Sequence, residues 1–286
     1  MCYIGLLMKF PRHFFIIIVG IFALIGVLFS TVFIGMQFGL FNVRGSISER
    51  NKSIGVHATT TSPCVEVSAI TCAWNATPEW IVVKGGLKKD ASIIMRVSHE
   101  TGVSSRLIAS VVVPEQVRFF TSEREIFKKY FEPLKILGSL SKFSLGVSGI
   151  KQETADTIEI FASSSSSAFF PGLGMTDLIV YSGTTTSHES VLYNRLTDEH
   201  DHYYSYLYTA LFIKEIESQW TRAGFDISHN PGVIVTLFNI GFQGSHPNSH
   251  PQSGGAGIVT GGRGYTYGEL GTDFYNSNEL IDVFPR

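Results

Sequence analysis

Basic residues are scarce and scattered: 22 lysines and arginines stand against 24 acidic residues, and nowhere do they gather into a block. That removes the electrostatic footprint of a nucleic-acid binder, and no nucleic-acid partner is expected. The patterns of a zinc hydrolase are missing too. Asp198-Glu-His-Asp-His202 and His246-Pro-Asn-Ser-His250 hold ligand-type residues at short spacing, yet neither follows His-Glu-x-x-His, and both lie in polar, loop-like text. No metal or other cofactor is expected, and a metal-dependent hydrolase built on these histidines ranks third among the readings. Gly254-Gly-Ala-Gly and Gly261-Gly-Arg-Gly are followed by no Lys-Ser/Thr pair and sit in no strand–helix–strand unit, which argues against a nucleotide loop. The chain has three cysteines and no internal repeat. Cys64 and Cys72 lie close enough in sequence for a local disulfide, which suits an oxidising compartment; two free thiols fit the spacing equally.

What the chain does have is one long apolar run. Phe14 to Met36 carries no charged residue, and about 20 apolar residues suffice to span a bilayer core as a helix. The run is too long for the apolar core of a cleaved signal, and no small-x-small cleavage site follows it, so an uncleaved signal anchor is expected. Lys9, Arg12 and His13 precede it while Arg44, Arg50 and Lys52 follow, so charge alone does not orient it. With Cys2 on the short side and the cysteine pair on the long side, residues 1–13 are placed in the cytoplasm, 14–36 in the membrane and the bulk outside. Residues 37–79 read as a stalk, rich in Ser and Thr between 45 and 75. Asn75-Ala-Thr77 matches a glycosylation sequon, a short and unspecific motif.

The remaining residues, 80–286, read as one mainly α domain. Asp90 caps a helix with Ile93, Ile94 and Val97 on its buried stripe, and Gly102 ends it. Ser104 or Ser105 caps the next. Helical text also covers 123–137 and 203–220, and Asn230-Pro231 opens a short helix that Gly241 closes. Residues 160–200, with a five-serine run at 163–167, form a loop-rich insertion, with short strands expected near 178–181.

One side chain stands out. Glu115 ends the run Leu107-Ile-Ala-Ser-Val-Val-Val-Pro-Glu115 and shares a helical face with Val111, Val112 and Leu107. A carboxyl on such a face is starved of water, the environment that keeps a general acid protonated near neutral pH. Pro114 should kink or end the helix there and open the carboxyl to a cleft. The plainer reading is that Arg118, one turn on, pairs with Glu115 and the site is structural.

Three segments then resemble the lysozyme-like superfamily, and within it the lytic transglycosylases of bacterial cell-wall turnover. Thr101-Gly-Val-Ser-Ser-Arg-Leu-Ile-Ala-Ser followed by Glu115 resembles the lead-in to the family's catalytic glutamate. Ser144-Leu-Gly-Val-Ser-Gly-Ile-Lys-Gln-Glu-Thr-Ala155 is similar to the Gly-Leu-Met-Gln-Val-x-Pro-x-Thr-Ala segment that lines the cleft opposite the acid. Val235-Thr-Leu-Phe-Asn-Ile-Gly241 resembles the Ala-x-x-Tyr-Asn-x-Gly helix near the far end of the sugar groove. Together they cover roughly residues 90–245. The chain departs from the family at Gln116, Gly149, Gln152 and Phe238, where the family has serine, glutamine, proline and tyrosine.

The resemblance implies a lysozyme-like fold with Glu115 as the catalytic acid and base, and with Ser144, Leu145, Gly146, Gly149, Gln152, Phe238 and Asn239 along the sugar groove. It implies cleavage of the β-1,4 bond between MurNAc and GlcNAc in peptidoglycan, with the sugar's own C6 hydroxyl attacking to give a 1,6-anhydro product. A single carboxylate serves that scheme, unlike the paired route of most glycosidases. Should a second acid take part, Glu269 is the candidate, against a plain role as a helix cap; Glu153 faces solvent at a helix start. The setting would be the bacterial inner membrane with the domain in the periplasm, glycan strands as partner and other envelope proteins as further partners. The alternative from another class is a non-catalytic module that grips glycan or a protein partner, which the missing cleft glutamine and tyrosine hydroxyl favour.

Overall fold

The computed structural model describes residues 12–37, 42–43, 73–121, 124–125, 144–181 and 187–286. The chain forms two compact units, Met1–Val43 with Arg124–Glu132, and the rest. The first holds helix α1, Arg12–Gln37, and a two-residue antiparallel pair of β1, Asn42–Val43, with β2, Arg124–Glu125. A helix thus forms over the long apolar run, with Ile16, Ile17, Phe22, Leu24 and Leu28 exposed. Among the described residues, however, no helix is long and apolar enough to cross a membrane. The expected helix over 123–137 is corrected at Arg124 and Glu125, where backbone pairing with a distant strand replaces helical bonds; residues 126–137 lie outside the described set. So do 44–72, most of the expected stalk, and all three cysteines.

The second unit is mainly α, as composition and periodicity imply. It begins before Trp80. Thr77 caps α2, Pro78–Lys89, accepting from the Trp80 N–H, with proline at the first position where no N–H is needed. Trp74 is buried edge-on against Trp80, ring centroids 4.8 Å apart. Helix α3, Ala91–Thr101, starts at Asp90 and ends at Gly102 in the left-handed conformation that glycine tolerates. Asp90 does not cap with its side chain. Its carboxylate turns inward instead, meeting His202 Nδ1 at 2.6 Å and accepting from the Tyr206 hydroxyl at 2.7 Å, all three residues buried.

Helix α4, Ser105–Thr121, runs through Pro114, so of the two outcomes expected there, a kink or an end, the end does not occur. Proline leaves the Ser110 carbonyl without its helical donor. Another backbone covers that oxygen: a Cβ added at Gly271, on a helix described below, would stand 2.9 Å from it. Near the start of α4, the fully buried Arg106 donates to five carbonyls, those of Phe274, Tyr275, Ser277, Glu279 and Phe284, at 2.6–3.1 Å. One cation thereby ties the C-terminal turn of the domain to its central helix.

A short hairpin follows, β3 (Ser144–Leu145) with β4 (Ile150–Lys151), and then α5, Gln152–Ser163. The insertion holds no strand at 178–181; it makes a 3-10 turn at Thr176–Leu178 and helix α6, His188–Thr197. Arg195 accounts for the difference. It donates to the Ile179 and Val180 carbonyls and lies over both the Tyr181 and Tyr204 rings, 4.1 and 4.2 Å from their centroids. Those carbonyls are satisfied by a side chain rather than by a strand neighbour.

Helix α7, Tyr203–Arg222, packs against α3 and α5 and against α8, Pro231–Ile240, which Asn230 caps and Gly241 closes as expected. A hairpin, β5 (Gly257–Thr260) with β6 (Arg263–Thr266), was not legible as such. Its turn is Gly261–Gly262, both at positive φ, the geometry of a tight twisted hairpin. Helix α9, Tyr267–Asn276, packs on α4 and α8 and carries Gly271.

Within α7 lies a carboxyl that no motif singles out. Glu215 is 0% exposed, and neither carboxylate oxygen has a hydrogen-bond partner among the described residues. Burial pushes its carboxyl up to about 10. The folded state therefore holds a proton that the unfolded state releases above the ordinary glutamate value. Stability from this residue is full below about pH 4.5 and falls as pH rises toward 10, by about 1.4 kcal/mol per pH unit. Glu215→Gln should unfold at a similar denaturant midpoint near pH 4.5 and be the more stable chain at pH 7 by roughly 3 kcal/mol. Parallel curves for the two chains across that range would show that Glu215 is solvated or paired.

Candidate active site

Glu115 lies on the buried side of α4, 4% exposed. Its Oε2 is 2.8 Å from Arg118 Nη2, an ion pair between residues three apart on one helical face, with the Arg118 side chain 25% exposed. The Tyr267 hydroxyl, at the start of α9, stands 3.5 Å from the same oxygen and 3.3 Å from the Val111 carbonyl. The plainer sequence reading, a pairing with Arg118, is thus present in the structure.

The other carboxylate oxygen faces the β3–β4 hairpin. Gly149 sits there at φ +67°, and a Cβ on it would fall 2.3 Å from Glu115 Oε1. Two further contacts clamp the hairpin. Gln116 donates its amide to the Val147 carbonyl, and Ser148 Oγ donates to the Ser205 carbonyl of α7 at 3.0 Å. Gly146, at φ +63°, lies so close to α7 and the end of α6 that a Cβ would meet the Leu196 carbonyl at 2.2 Å. Both glycines are needed for the backbone conformation and for close approach. The hairpin therefore approaches Glu115 closely at Gly149.

The other expected groove residues have different employment. Ser144 and Leu145 form β3, Leu145 buried. Gln152 opens α5 and donates to the Glu189 carbonyl at 3.2 Å, toward the insertion. Phe238, half-buried, packs edge-on against Phe212 at the margin of the core, ring centroids 5.1 Å apart. Asn239 Oδ1 accepts from the Ala256 N–H at 2.8 Å and fixes the loop before β5. Glu269 is exposed and closes a capping box with Thr266, whose N–H donates to it at 2.6 Å and holds its carboxyl below the ordinary value. A general acid needs the opposite environment, so the structure assigns Glu269 to the cap.

Of the histidine clusters, His202 is taken by Asp90, and Asp198 accepts from the His200 and Asp201 N–H groups. His246 and His250 are exposed, and among the described residues no group of His, Cys, Asp and Glu has the arrangement of a metal site.

A cavity of about 10 Å³ is lined by Asp90, Gln116, Val147 and Tyr206, on the borderline for a single water. A cavity of about 390 Å³ lies elsewhere and includes none of these residues. Tyr267 was missed from the sequence; an aromatic in a Gly- and Tyr-rich stretch gives no sign that it will reach Glu115.

No family model, no curated protein and no solved structure matches the chain.

Proposed function

We propose that the domain is a lysozyme-like module of the bacterial cell envelope that cleaves peptidoglycan, with Glu115 as its acid and base. One observation supports this above the others: the Ser144–Lys151 hairpin, chosen by resemblance as the wall opposite the acid, presses Gly149 against Glu115 Oε1. In this reading Glu115 protonates the oxygen of the MurNAc–GlcNAc bond and then takes the proton of the C6 hydroxyl as that oxygen attacks, leaving a 1,6-anhydro end. Oε2 is occupied by Arg118. Productive binding therefore requires the guanidinium to swing toward solvent, which its partial exposure permits, while a sugar oxygen takes its place. Mass spectrometry of purified sacculi incubated with the full-length protein tests the chemistry. Anhydro ends are expected; reducing ends would indicate hydrolysis by water, and products abolished by a chelator would favour the metal-dependent reading.

A second reading has its own observation. The Glu115–Arg118 ion pair, with Glu115 only 4% exposed, suits a domain that grips glycan or an envelope protein without cutting. Retention on sacculi with no soluble product would select it.

The membrane setting rests on α1. Its charge-free run from Phe14 to Met36 and its exposed apolar side chains suit a single-pass anchor in the inner membrane, with residues 1–13 cytoplasmic and the domain periplasmic. Alkaline carbonate, which strips peripheral proteins, should leave the chain in the membrane pellet. Recovery in the supernatant would remove the anchor.

A further inference from the structure

The cavity of about 390 Å³ lies between α2 and the turn after α9, within the size range of small-molecule sites, roughly 300–1,000 Å³. Its walls carry opposite charges. Lys84 and Lys88, one turn apart on α2, supply the positive side; Glu279 and Asp282 on the C-terminal turn supply the negative side. One pair is closed: Lys84 Nζ meets Glu279 Oε2 at 2.7 Å, and Trp80 Nε1 donates to the same oxygen at 3.2 Å. The other is open. The side chains of Lys88 and Asp282 line the same space, both exposed, and neither has a hydrogen bond or ion pair with any described residue.

The turn that carries Asp282 is held rather than loose. Arg106 fixes the Ser277 and Glu279 carbonyls from beneath, Ser277 Oγ accepts from the Glu279 N–H, and Leu280 keeps a left-handed φ of 54° with its side chain buried. A non-glycine residue in that region needs surroundings that enforce it. The turn's backbone is thus fixed on one side of the space, with α2 on the other. Asn75 and Asn278 add side-chain amides, each able to donate and accept, at its rim.

We infer that this cavity binds a zwitterion, an amino acid or short peptide with a free carboxylate and a free ammonium, Lys88 taking the carboxylate and Asp282 the ammonium. A simple anion would meet Glu279 and Asp282, and a simple cation would meet the two lysines; only a ligand with both charges satisfies both walls. The site is independent of Glu115, so it stands or falls apart from the cleavage chemistry.

Calorimetric titration of the full-length protein with trialanine tests it. Saturable binding is expected, at least about tenfold tighter than for N-acetyl-trialanine, trialanine amide, inorganic phosphate or N-acetylglucosamine, the loss of one charge-assisted contact. Lys88→Glu and Asp282→Lys should each weaken trialanine binding by about tenfold or more, and the double exchange should restore it by accepting the ligand reversed. Both positions are exposed, so the variants should keep the parent's circular dichroism and melting curve. No saturable binding, equal binding of a capped peptide, phosphate or sugar, or single variants that bind like the parent would overturn the assignment, as would a folded double exchange that fails to recover.

Discussion

Arg106→Met should lower the domain's melting midpoint by roughly 10 °C or more. The substitution keeps the apolar stem and removes the guanidinium's hydrogen bonds to five carbonyls at once. Three of these, from Phe274, Tyr275 and Ser277, belong to the last turn of α9 and its end, where the helix dipole is negative and helical donors run out after the Ser277 N–H, which reaches Phe274. The Glu279 and Phe284 carbonyls belong to the tail that closes over α4. Removing one side of a buried charged network costs roughly 3–5 kcal/mol, a large share of the roughly 5–15 kcal/mol that holds a domain together. Arg106→Lys should recover only part, because an ammonium has three donors and no planar fork. A denaturant midpoint for the methionine variant within about 0.5 kcal/mol of the parent would show that water replaces the guanidinium, and that the tail is not fastened there.

Gly149→Ala should damage the candidate site directly, at Glu115 itself. Its cost has two sources. Alanine is strained at φ +67°, and the new Cβ would stand 2.3 Å from Glu115 Oε1 and 2.6 Å from its Cγ. Gly174→Ala isolates the first source, since Gly174 has φ +82° with nothing within 4 Å of an added Cβ. The Gly174 variant should lose about 1 kcal/mol and the Gly149 variant about 2–4 kcal/mol, the difference being the clash. At a temperature where both are folded, the Gly149 variant should show no release of muropeptides while the Gly174 variant matches the parent. Equal losses of stability would mean that the hairpin retreats freely from Glu115 and is not the wall of a site.

Which features were legible in the sequence follows from how far apart the interacting residues lie. Asp90 with Gly102, and Asn230-Pro231 with Gly241, mark helix ends correctly because the sterics and caps involved act within one turn. Pro114 does not end its helix, and the backbone that covers the freed Ser110 carbonyl comes with Gly271, far along the chain. The strands expected at 178–181 gave way because Arg195 satisfies those carbonyls from another element. At the site, the burial of Glu115 was readable from the apolar face it shares with Val111 and Val112, and its partner Arg118 from helical spacing. The approach of Gly149 was expected from resemblance alone, and Tyr267 had no local signal. Glu215 had only a weak one: Lys214, Glu217 and Ser218 surround it in the sequence, and its burial follows from its place three and four residues beyond Phe212 and Leu211 on the apolar face of α7.

The most direct measurement compares wild type with Glu115→Gln, each incubated with purified sacculi after circular dichroism has shown both to be folded. Glutamine keeps the size and the helix but has no proton to give. Anhydro-muropeptides in the wild-type supernatant and none in the variant's is the result predicted. Undiminished release by the variant, or none by the wild type, would contradict a cleaving role for this carboxyl.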